Sequence, residues 1–242
     1  MQSLADQTYM PGEVIIVDDG SEPLKKAVLH INPAQFPFKV IIADQGMNKG
    51  APSARNQGKS IAANEYIAFL DADDAWVKNK LAVQVKMIED LQCDLLYTEY
   101  SESFPGEVPS SVNPDQVLHI SYRDVLRKNL SPVTLLMKKD LPLKFDERLR
   151  RCDDFKLSIE ALAGGFKIVK IDLPYSYGFK FAIGHAGLTK SLFKMSSSFL
   201  RACALISMEK PKLTPLMTVF ALFEITKFPV RVLKTKLRNA YK

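Results

Sequence analysis

Short apolar runs recur along the first half of the chain, and stretches with the spacing of amphipathic helices separate them. The runs that predict strands are Glu13–Asp18, Phe38–Ala43, Tyr66–Leu70 and Leu95–Tyr97. The stretches that predict helices are Leu24–His30, Ala51–Ala63 and Lys80–Leu91. Short apolar runs bounded by turn residues are typical of buried parallel strands. Their alternation with helices predicts an α/β fold with a mainly parallel sheet flanked by helices.

The second half of the chain has a looser pattern. Residues 101–116 contain several prolines and serines and are typical of a loop. The elements predicted beyond it are strands over Val133–Met137 and Phe166–Ile171, a helix over Asp154–Ala163, and helical chain from Leu188 onwards. The pattern divides the chain into residues 1–100, residues 101–187 and a C-terminal helical extension over residues 188–242.

Composition and charge narrow the class of protein. The chain has 242 residues, of which 47% are hydrophobic and 25% charged, as in a folded globular protein. Its net charge of +6 comes from residues 209–242, which hold eight Lys or Arg and two Asp or Glu, whereas residues 1–208 hold 25 of each sign. Nucleic-acid-binding domains carry their basic patch on the folded face, so the neutral body argues against a nucleic-acid partner.

The basic tail also carries apolar residues at helical spacing, among them Val230, Leu233 and Leu237. An amphipathic basic helix is typical of contact with an anionic membrane surface. We therefore expect peripheral membrane contact through residues 212–242. The alternative is a helix that packs on the protein body and turns its basic face to solvent.

The cellular compartment follows from what the sequence lacks. No uninterrupted apolar run reaches the roughly 18 residues that span a bilayer, so a transmembrane helix is not expected. The polar first residues show no signal peptide. Cys93, Cys152 and Cys203 are odd in number and widely spaced, and they form no zinc or disulfide pattern. These features predict a reducing, cytoplasmic location. With the basic tail, they predict a protein that is peripheral on the inner face of the membrane.

Two predicted strands end in clustered acids. Asp18 and Asp19 follow the first strand, and Asp71, Asp73 and Asp74 follow the third. Ligands bind beyond the carboxyl ends of parallel strands, so these acids are expected at one rim of the sheet. A divalent cation that bridges to a diphosphate would neutralise them, because Mg²⁺ and Mn²⁺ prefer oxygen ligands. Alternatively, the acids are helix caps and turn formers.

A third acidic pair, Asp153-Asp154, begins a predicted helix after Arg148, Arg150 and Arg151. A carboxylate near a helix N-terminus tends to stay ionised. Such a group suits a base that takes a proton as an alcohol attacks. The alternative is an N-cap with a surface ion pair.

Several motifs in order and at matching spacing resemble the family 2 inverting glycosyltransferases of the GT-A fold, over roughly residues 1–185. They are Glu13-Val-Ile-Ile-Val-Asp-Asp-Gly-Ser21, Asn48-x-Gly50, Ala54-Arg55-Asn56-x-Gly58, Glu65-Tyr-Ile-Ala-Phe-Leu-Asp-Ala-Asp-Asp74-x-Trp76, and Lys80-Leu81 with Gln84. The resemblance implies a sugar transfer from a nucleotide donor, with UDP favoured, to a polysaccharide or lipid-linked oligosaccharide in cell-surface glycan synthesis.

The resemblance also implies a donor site within residues 1–100. The implied donor residues are Asp18 and Asp19 at the nucleotide, with Asp19 at the base, Arg55 near the nucleotide, Asp71 nearer the ribose, and Asp73 as ligand of Mg²⁺ or Mn²⁺. The acceptor would bind within residues 101–187, with Asp154 as the catalytic base. His185 is implied as a further metal ligand, although a plain loop histidine fits the sequence as well.

The chain departs from the family pattern at its start. Ser3–Tyr9 corresponds to the end of the family's first helix, so a first strand in the middle of the sheet is expected to be absent. The function is then either transfer or, alternatively, that of an inactive remnant that acts at most as a binding protein. A nucleotidyltransferase is a third interpretation, but the sequence shows no glycine-rich, basic phosphate loop near its N-terminus.

Overall fold

A mixed six-stranded sheet forms the centre of the protein in a computed structural model, whose described residues are 1–20, 32–128, 130–178 and 192–240. From residue 232 onwards only the backbone of the last helix is described. The predicted helix over Leu24–His30 and the loop residue His185 lie outside the described residues.

The strands have the following bounds. They are β1 (Glu13–Asp18), β2 (Lys39–Asp44), β3 (Tyr66–Ala68), β4 (Asp74–Trp76), β5 (Leu95–Ser101), β6 (Val117–His119), β7 (Leu136–Lys138) and β8 (Ile168–Gly178). The large sheet has the order β3-β7-β5-β8-β4, and β6 also pairs with β8. The long pair β5–β8 is parallel, with Leu95 opposite Ile168.

Helices cover the sheet and extend the chain beyond it. They are α1 (Gln2–Ala5), α2 (Ala51–Ile61), α3 (Lys80–Asp90), α4 (Tyr122–Arg127), α5 (Asp153–Ala163), α6 (Leu192–Glu209) and α7 (Thr214–Ala240). The main core cluster joins Leu95 and Tyr97 of β5 to Ile159 of α5, Ile206 of α6 and Phe220 of α7. Because burial of one such side chain is worth about 1.5–3 kcal/mol, α6 and α7 contribute directly to the core.

The predicted α/β class is confirmed, but the sheet is mixed instead of mainly parallel. The parallel pairs are β1–β2 and β5–β8. Each of the antiparallel pairs includes β3, β4, β6 or β7, which are three residues long. β3 and β7 overlap the longer apolar runs that predicted strands, whereas a three-residue strand without such a run carries too little pattern to be recognised in a sequence. β4 and β6 accordingly lie outside every predicted strand, and their antiparallel pairing could not be anticipated.

The pair β1–β2 forms a sheet of its own, with Glu13 opposite Lys39. Among the described residues, β1 pairs only with β2, and β3 pairs only with β7. A side chain ties β1 to the end of α2, because Oε1 of Glu13 accepts from the amide of Ala63 at 2.6 Å and from Nδ2 of Asn64 at 2.9 Å. The expected absence of the family's first strand from the middle of the sheet stays a prediction.

The stretch Pro211–Arg231 is long and apolar enough, by length and composition, to cross a membrane, and its most apolar 18 residues have a mean hydropathy of 1.3. A count of uninterrupted apolar runs misses this stretch, and the expectation that no transmembrane helix is present stays a prediction. Here Glu224 and Lys227 stand among the apolar residues. Only 17% of the stretch is buried inside the protein.

The turn after β1 makes a close contact between two backbone segments. Gly20 has φ +73°, and a Cβ there would lie 2.6 Å from the amide nitrogen of Asn48 and 2.7 Å from the carbonyl carbon of Met47. A side chain is therefore excluded both by the left-handed conformation and by space. This contact places Asp19 against the loop that leads into α2.

We expect Gly20→Ala to lower the free energy of unfolding by about 2–5 kcal/mol, because the left-handed conformation costs about 1–2 kcal/mol and the overpacking about 1–3 kcal/mol. Gly58→Ala in α2 is the matched control. Its Cβ would meet Val17 at an ordinary 3.5 Å, and alanine favours a helix by about 1 kcal/mol. Urea unfolding measures both variants, and a Gly20→Ala protein as stable as the wild type would contradict the close contact.

Candidate active site

Asp19 holds the loop before α2 by its carboxylate. Its Oδ1 accepts from the amides of Lys49 at 2.6 Å and Gly50 at 2.9 Å, and its Oδ2 also lies 2.9 Å from the amide of Gly50. Gly50 has φ +99° and precedes Pro52 in the first turn of α2. A carboxylate has about four lone-pair positions, so Asp19 retains capacity for a further donor. Asp18 is 4% exposed at the end of β1.

Arg55 joins two acidic segments that are far apart in the chain. Its Nη2 lies 3.0 Å from Oδ1 of Asp71 in the turn after β3, and its Nη1 lies 3.0 Å from Oδ2 of Asp153 at the start of α5. The Arg55 side chain is 13% exposed and that of Asp153 is 9% exposed. Hydrogen bonds between charged groups at such burial are among the stronger ones in proteins. The turn and the helix start are thereby fixed relative to each other.

The surroundings of Arg55 keep its guanidinium in place and charged. The ring of Phe145 lies 5.4 Å from its Cζ. The neighbouring Asn56 holds the backbone of Phe145, since its Nδ2 donates to the Phe145 carbonyl at 2.8 Å and its Oδ1 accepts from the Phe145 amide at 2.9 Å. Burial alone would lower the pKa of Arg55, but the charges of Asp71 and Asp153 outweigh it and raise that pKa.

The acidic turn presents its carboxylates differently. Asp73 is exposed, and the Asp71 side chain is 43% exposed. Asp74 instead accepts a hydrogen bond from the hydroxyl of Tyr100 at 2.7 Å and anchors β4. A Cβ on Gly178, opposite Asp74 in β8, would lie 1.9 Å from that hydroxyl. The turn therefore has two accessible carboxylates, of which Asp71 also binds Arg55, and it uses the third for structure.

Asp154 is a carboxyl group with an unusual environment. Burial, followed by the negative charge of Asp153, raises its pKa from 3.8 to about 6, and Arg55 partly offsets this rise. Its Oδ1 accepts from the amide of Phe155 at 2.8 Å. Below it, the fully buried Tyr97 contacts Ser158 at 3.3 Å, and burial raises the pKa of Tyr97. A carboxylate with a pKa near 6 is ionised at neutral pH yet accepts protons better than an ordinary aspartate.

The residues fit a hard divalent cation only when a ligand shares it. Within the described ranges, no group of three or more His, Cys, Asp or Glu side chains is arranged to hold a metal ion. Asp71 and Asp73 offer accessible carboxylate oxygens, which are the donors that Mg²⁺ and Mn²⁺ prefer. Such ions commonly take their remaining ligands from substrate phosphates and water. The acidic turn suits this arrangement.

The structure brings together Arg55, Asp71, Asp153 and Asp154, and it places Asp19 on the loop that begins the helix of Arg55. The sequence interpretation assigned no role to Asp153 as the partner of Arg55, nor to Asn56, Tyr100 or Phe145. Asn56 carried a signal, since it directly follows Arg55 in the family-like motif. Asp153 lies 98 residues from Arg55, and no local pattern reports such a contact.

Comparison with known proteins places the chain among sugar-transferring enzymes. Residues 1–134 match the family described as Glycosyl transferase family 2. The amylovoran biosynthesis glycosyltransferase AmsB of Erwinia amylovora is 30% identical over 204 residues, which cover 77% of this chain and 67% of AmsB. The Escherichia coli UDP-Glc:alpha-D-GlcNAc-diphosphoundecaprenol beta-1,3-glucosyltransferase WfgD is 33% identical over 101 residues, or 41% of this chain and 38% of WfgD.

A solved structure shows the same fold. The mannosyltransferase PcManGT from Pyrobaculum calidifontis, in complex with GDP-Man and Mn²⁺, matches with a TM-score of 0.64 at 16% identity, and the match covers 100% of this chain and 70% of PcManGT. This likeness confirms the expected GT-A-type arrangement of sheet and helices.

The raised pKa of Asp154 makes stability depend on pH. Between pH 4 and pH 6 the folded protein holds a proton that the unfolded chain releases, so the wild type loses stability as pH rises through this range. We expect Asp154→Asn, which cannot titrate, to be more stable than the wild type. The gain should be about 1–2 kcal/mol larger at pH 8 than at pH 5. Urea unfolding at both pH values measures it.

Asp140→Asn is the control, because Asp140 is exposed in the turn after β7. It should show no pH-dependent gain. If the two variants respond to pH alike, the carboxyl of Asp154 does not titrate near 6.

Proposed function

Because this chain belongs to glycosyltransferase family 2, we propose that it transfers a sugar, with inversion, from a nucleotide donor to a hydroxyl of a glycan acceptor. One observation carries the proposal: a single guanidinium, that of Arg55, lies 3.0 Å from both the acidic turn and the start of the helix that carries Asp154. A donor held at the turn and a base at the helix start would then face one cleft.

Residues 1–100 supply the proposed donor site. Asp18 and Asp19 bind the nucleotide, with Asp19 at the base, Arg55 lies near the nucleotide, and Asp71 lies nearer the ribose. Asp73 would hold a Mg²⁺ or Mn²⁺ ion, which would supply positive charge to stabilise the departing diphosphate. The oxygen donors of the turn support this assignment, as does the Mn²⁺ in the complex of PcManGT. UDP is the favoured nucleotide, since WfgD is named for a UDP-sugar.

Asp154 is the proposed base in a single displacement. Its carboxylate takes the proton of the acceptor hydroxyl while the acceptor oxygen forms a bond to the anomeric carbon. The bond from that carbon to the diphosphate oxygen breaks on the opposite face, and the nucleoside diphosphate leaves with the electron pair. The pKa of about 6 supports this role, because the group is ionised at neutral pH and well matched to proton transfer.

The acceptor is proposed to be a polysaccharide or a lipid-linked oligosaccharide that binds against residues 101–187. AmsB is named for amylovoran biosynthesis and WfgD for a diphosphoundecaprenol-linked acceptor, and these names support a role in cell-surface glycan synthesis. Such an acceptor meets a nucleotide sugar on the cytoplasmic side of a membrane. We therefore place the protein in the cytoplasm, peripheral on the inner face.

The metal assignment predicts the behaviour of Asp73→Asn. Loss of one carboxylate ligand should remove the part of UDP affinity that depends on Mn²⁺, at least tenfold, and leave the metal-free affinity unchanged. Isothermal titration with UDP, with and without Mn²⁺, measures both. Asp90→Asn, at an exposed position of α3, is the matched control and should bind as the wild type does. Unchanged Mn²⁺-dependent affinity in Asp73→Asn would refute the assignment.

The base assignment predicts the behaviour of Asp154→Asn. A screen of nucleotide sugars that monitors nucleotide release first identifies the donor. With that donor, the turnover of Asp154→Asn should fall about 10²–10⁴-fold relative to the wild type, while its UDP affinity is retained. Wild-type turnover should rise with pH through about 6 as Asp154 loses its proton. Asp140→Asn is again the control and should turn over normally. Near-normal turnover in Asp154→Asn would contradict the assignment.

The alternative is an inactive remnant that still binds nucleotide. It would be supported if the wild type bound UDP with Mn²⁺ but released no nucleotide from any donor in the screen. Measuring binding and turnover on the same preparation separates this outcome from a misfolded protein.

A further inference from the structure

One face of α7 is apolar and exposed. Val219, Leu222, Phe223 and Val230 are between 42% and 60% exposed, and we call them the apolar stripe. At 100° per residue they fall on one side of the helix. Ile225, 54% exposed, adds apolar surface at its flank. A row of large apolar side chains in water is costly, and such patches commonly mark interaction sites.

The apolar stripe exposes few polar groups that require hydration. Thr226 lies between its members on the same side of the helix, and its hydroxyl donates to the carbonyl of Phe223 at 3.0 Å. Lys227 lies with its ammonium 5.4 Å from the centre of the Phe223 ring. A long lysine side chain can keep its charge in water while its stem covers apolar surface. The stripe is therefore apolar, with a cation at its edge.

The opposite face of α7 is committed to the protein. Met217 and Phe220 are 1% and 3% exposed and belong to the main core cluster. Glu224, on the same face, is 7% exposed. Its Oε1 accepts from the hydroxyl of Ser196 in α6 at 2.5 Å and from Nη1 of Arg231 at 2.6 Å. This face has no surface to spare for a second partner.

Two arrangements in lipid are open to an apolar helix of this length. If Pro211–Arg231 crossed the bilayer, Glu224 would lie within a turn of the midplane, where a charged residue costs at least about 2.5–3.5 kcal/mol. The core contacts of Met217 and Phe220 would also be lost. A helix that lies in the plane of the interface keeps these contacts and places only the stripe among the acyl chains.

The charge around the stripe indicates which lipid surface fits. Lys210, Lys212 and Lys227 stand near α7 or on it, and the sequence adds Lys234, Lys236 and Arg238 farther along the same helix. Each basic residue close to an anionic bilayer is worth about 1 kcal/mol. We propose that α7 lies in the interface of an anionic lipid bilayer, with the apolar stripe inserted and the face of Glu224 packed on α6. This proposal needs neither the donor nor the acceptor of the proposed function.

The test is co-sedimentation of the full chain with phosphatidylcholine vesicles that contain either about 30% phosphatidylglycerol or none. The two compositions differ in surface potential, which drives the difference in binding. The wild type should bind the anionic vesicles, and binding should fall as salt is raised, since charge attraction is screened. Leu222→Gln/Phe223→Gln removes apolar contact without changing charge and should bind at least tenfold more weakly. Carbonate washing should release the bound wild type, as it does for a peripheral protein.

The matched control is Ile42→Gln/Met47→Gln, which makes the same exchange at two exposed positions outside α7 and should bind vesicles normally. UDP titration of the stripe variant should match the wild type, so a failure of vesicle binding is distinct from a failure of the proposed function. Equal binding by the stripe variant, or a wild type that resists carbonate, would overturn the proposal. A wild-type dimer that the stripe exchange dissociates, without vesicle binding, would assign the stripe to a second copy instead.

Discussion

The arrangement of the site depends on one arginine that forms ion pairs with two carboxylates. Without Arg55, the acidic turn at Asp71 and the buried Asp153 would present negative charge to each other across a desolvated gap. A buried carboxylate without its partner costs several kcal/mol, and the two segments would separate or take up protons. With Arg55 in place, strand end and helix start are held at a fixed distance, and the cleft between them has a defined shape.

This constraint also sets the electrostatics of Asp154. Burial and the charge of Asp153 raise its pKa, whereas Arg55 lowers it again. The value of about 6 is a balance between these effects. An ordinary exposed aspartate would be a weaker base, and without Arg55 the pKa of Asp154 would be higher still. The stability lost by burying a charge and the basicity gained at the site therefore have the same cause.

Features that depend on neighbouring residues could be predicted from the sequence, and features that depend on residues distant in the chain could not. β1, α2, α3 and α5 were predicted within a few residues, because each has its own periodicity or terminal signal. The acids at strand ends were found by position alone. The contact of Arg55 with Asp153, the pairing of β4 with β8 and the role of Tyr100 depend on residues distant in the chain. Nothing local encodes them, and three-residue strands show no period.

The C-terminal helices and the site share one layer of side chains. Phe155 follows Asp154 directly, and its ring lies 4.5 Å from Phe199 of α6 and 6.2 Å from Phe220 of α7. The next residue of α5, the buried Lys156, contacts Glu209 at the end of α6 at 2.7 Å. Close-packed interiors transmit small shifts because they have few voids. Contacts that fix the position of α7 therefore also fix the start of α5. The same packing that holds the apolar stripe outward orients the proposed base.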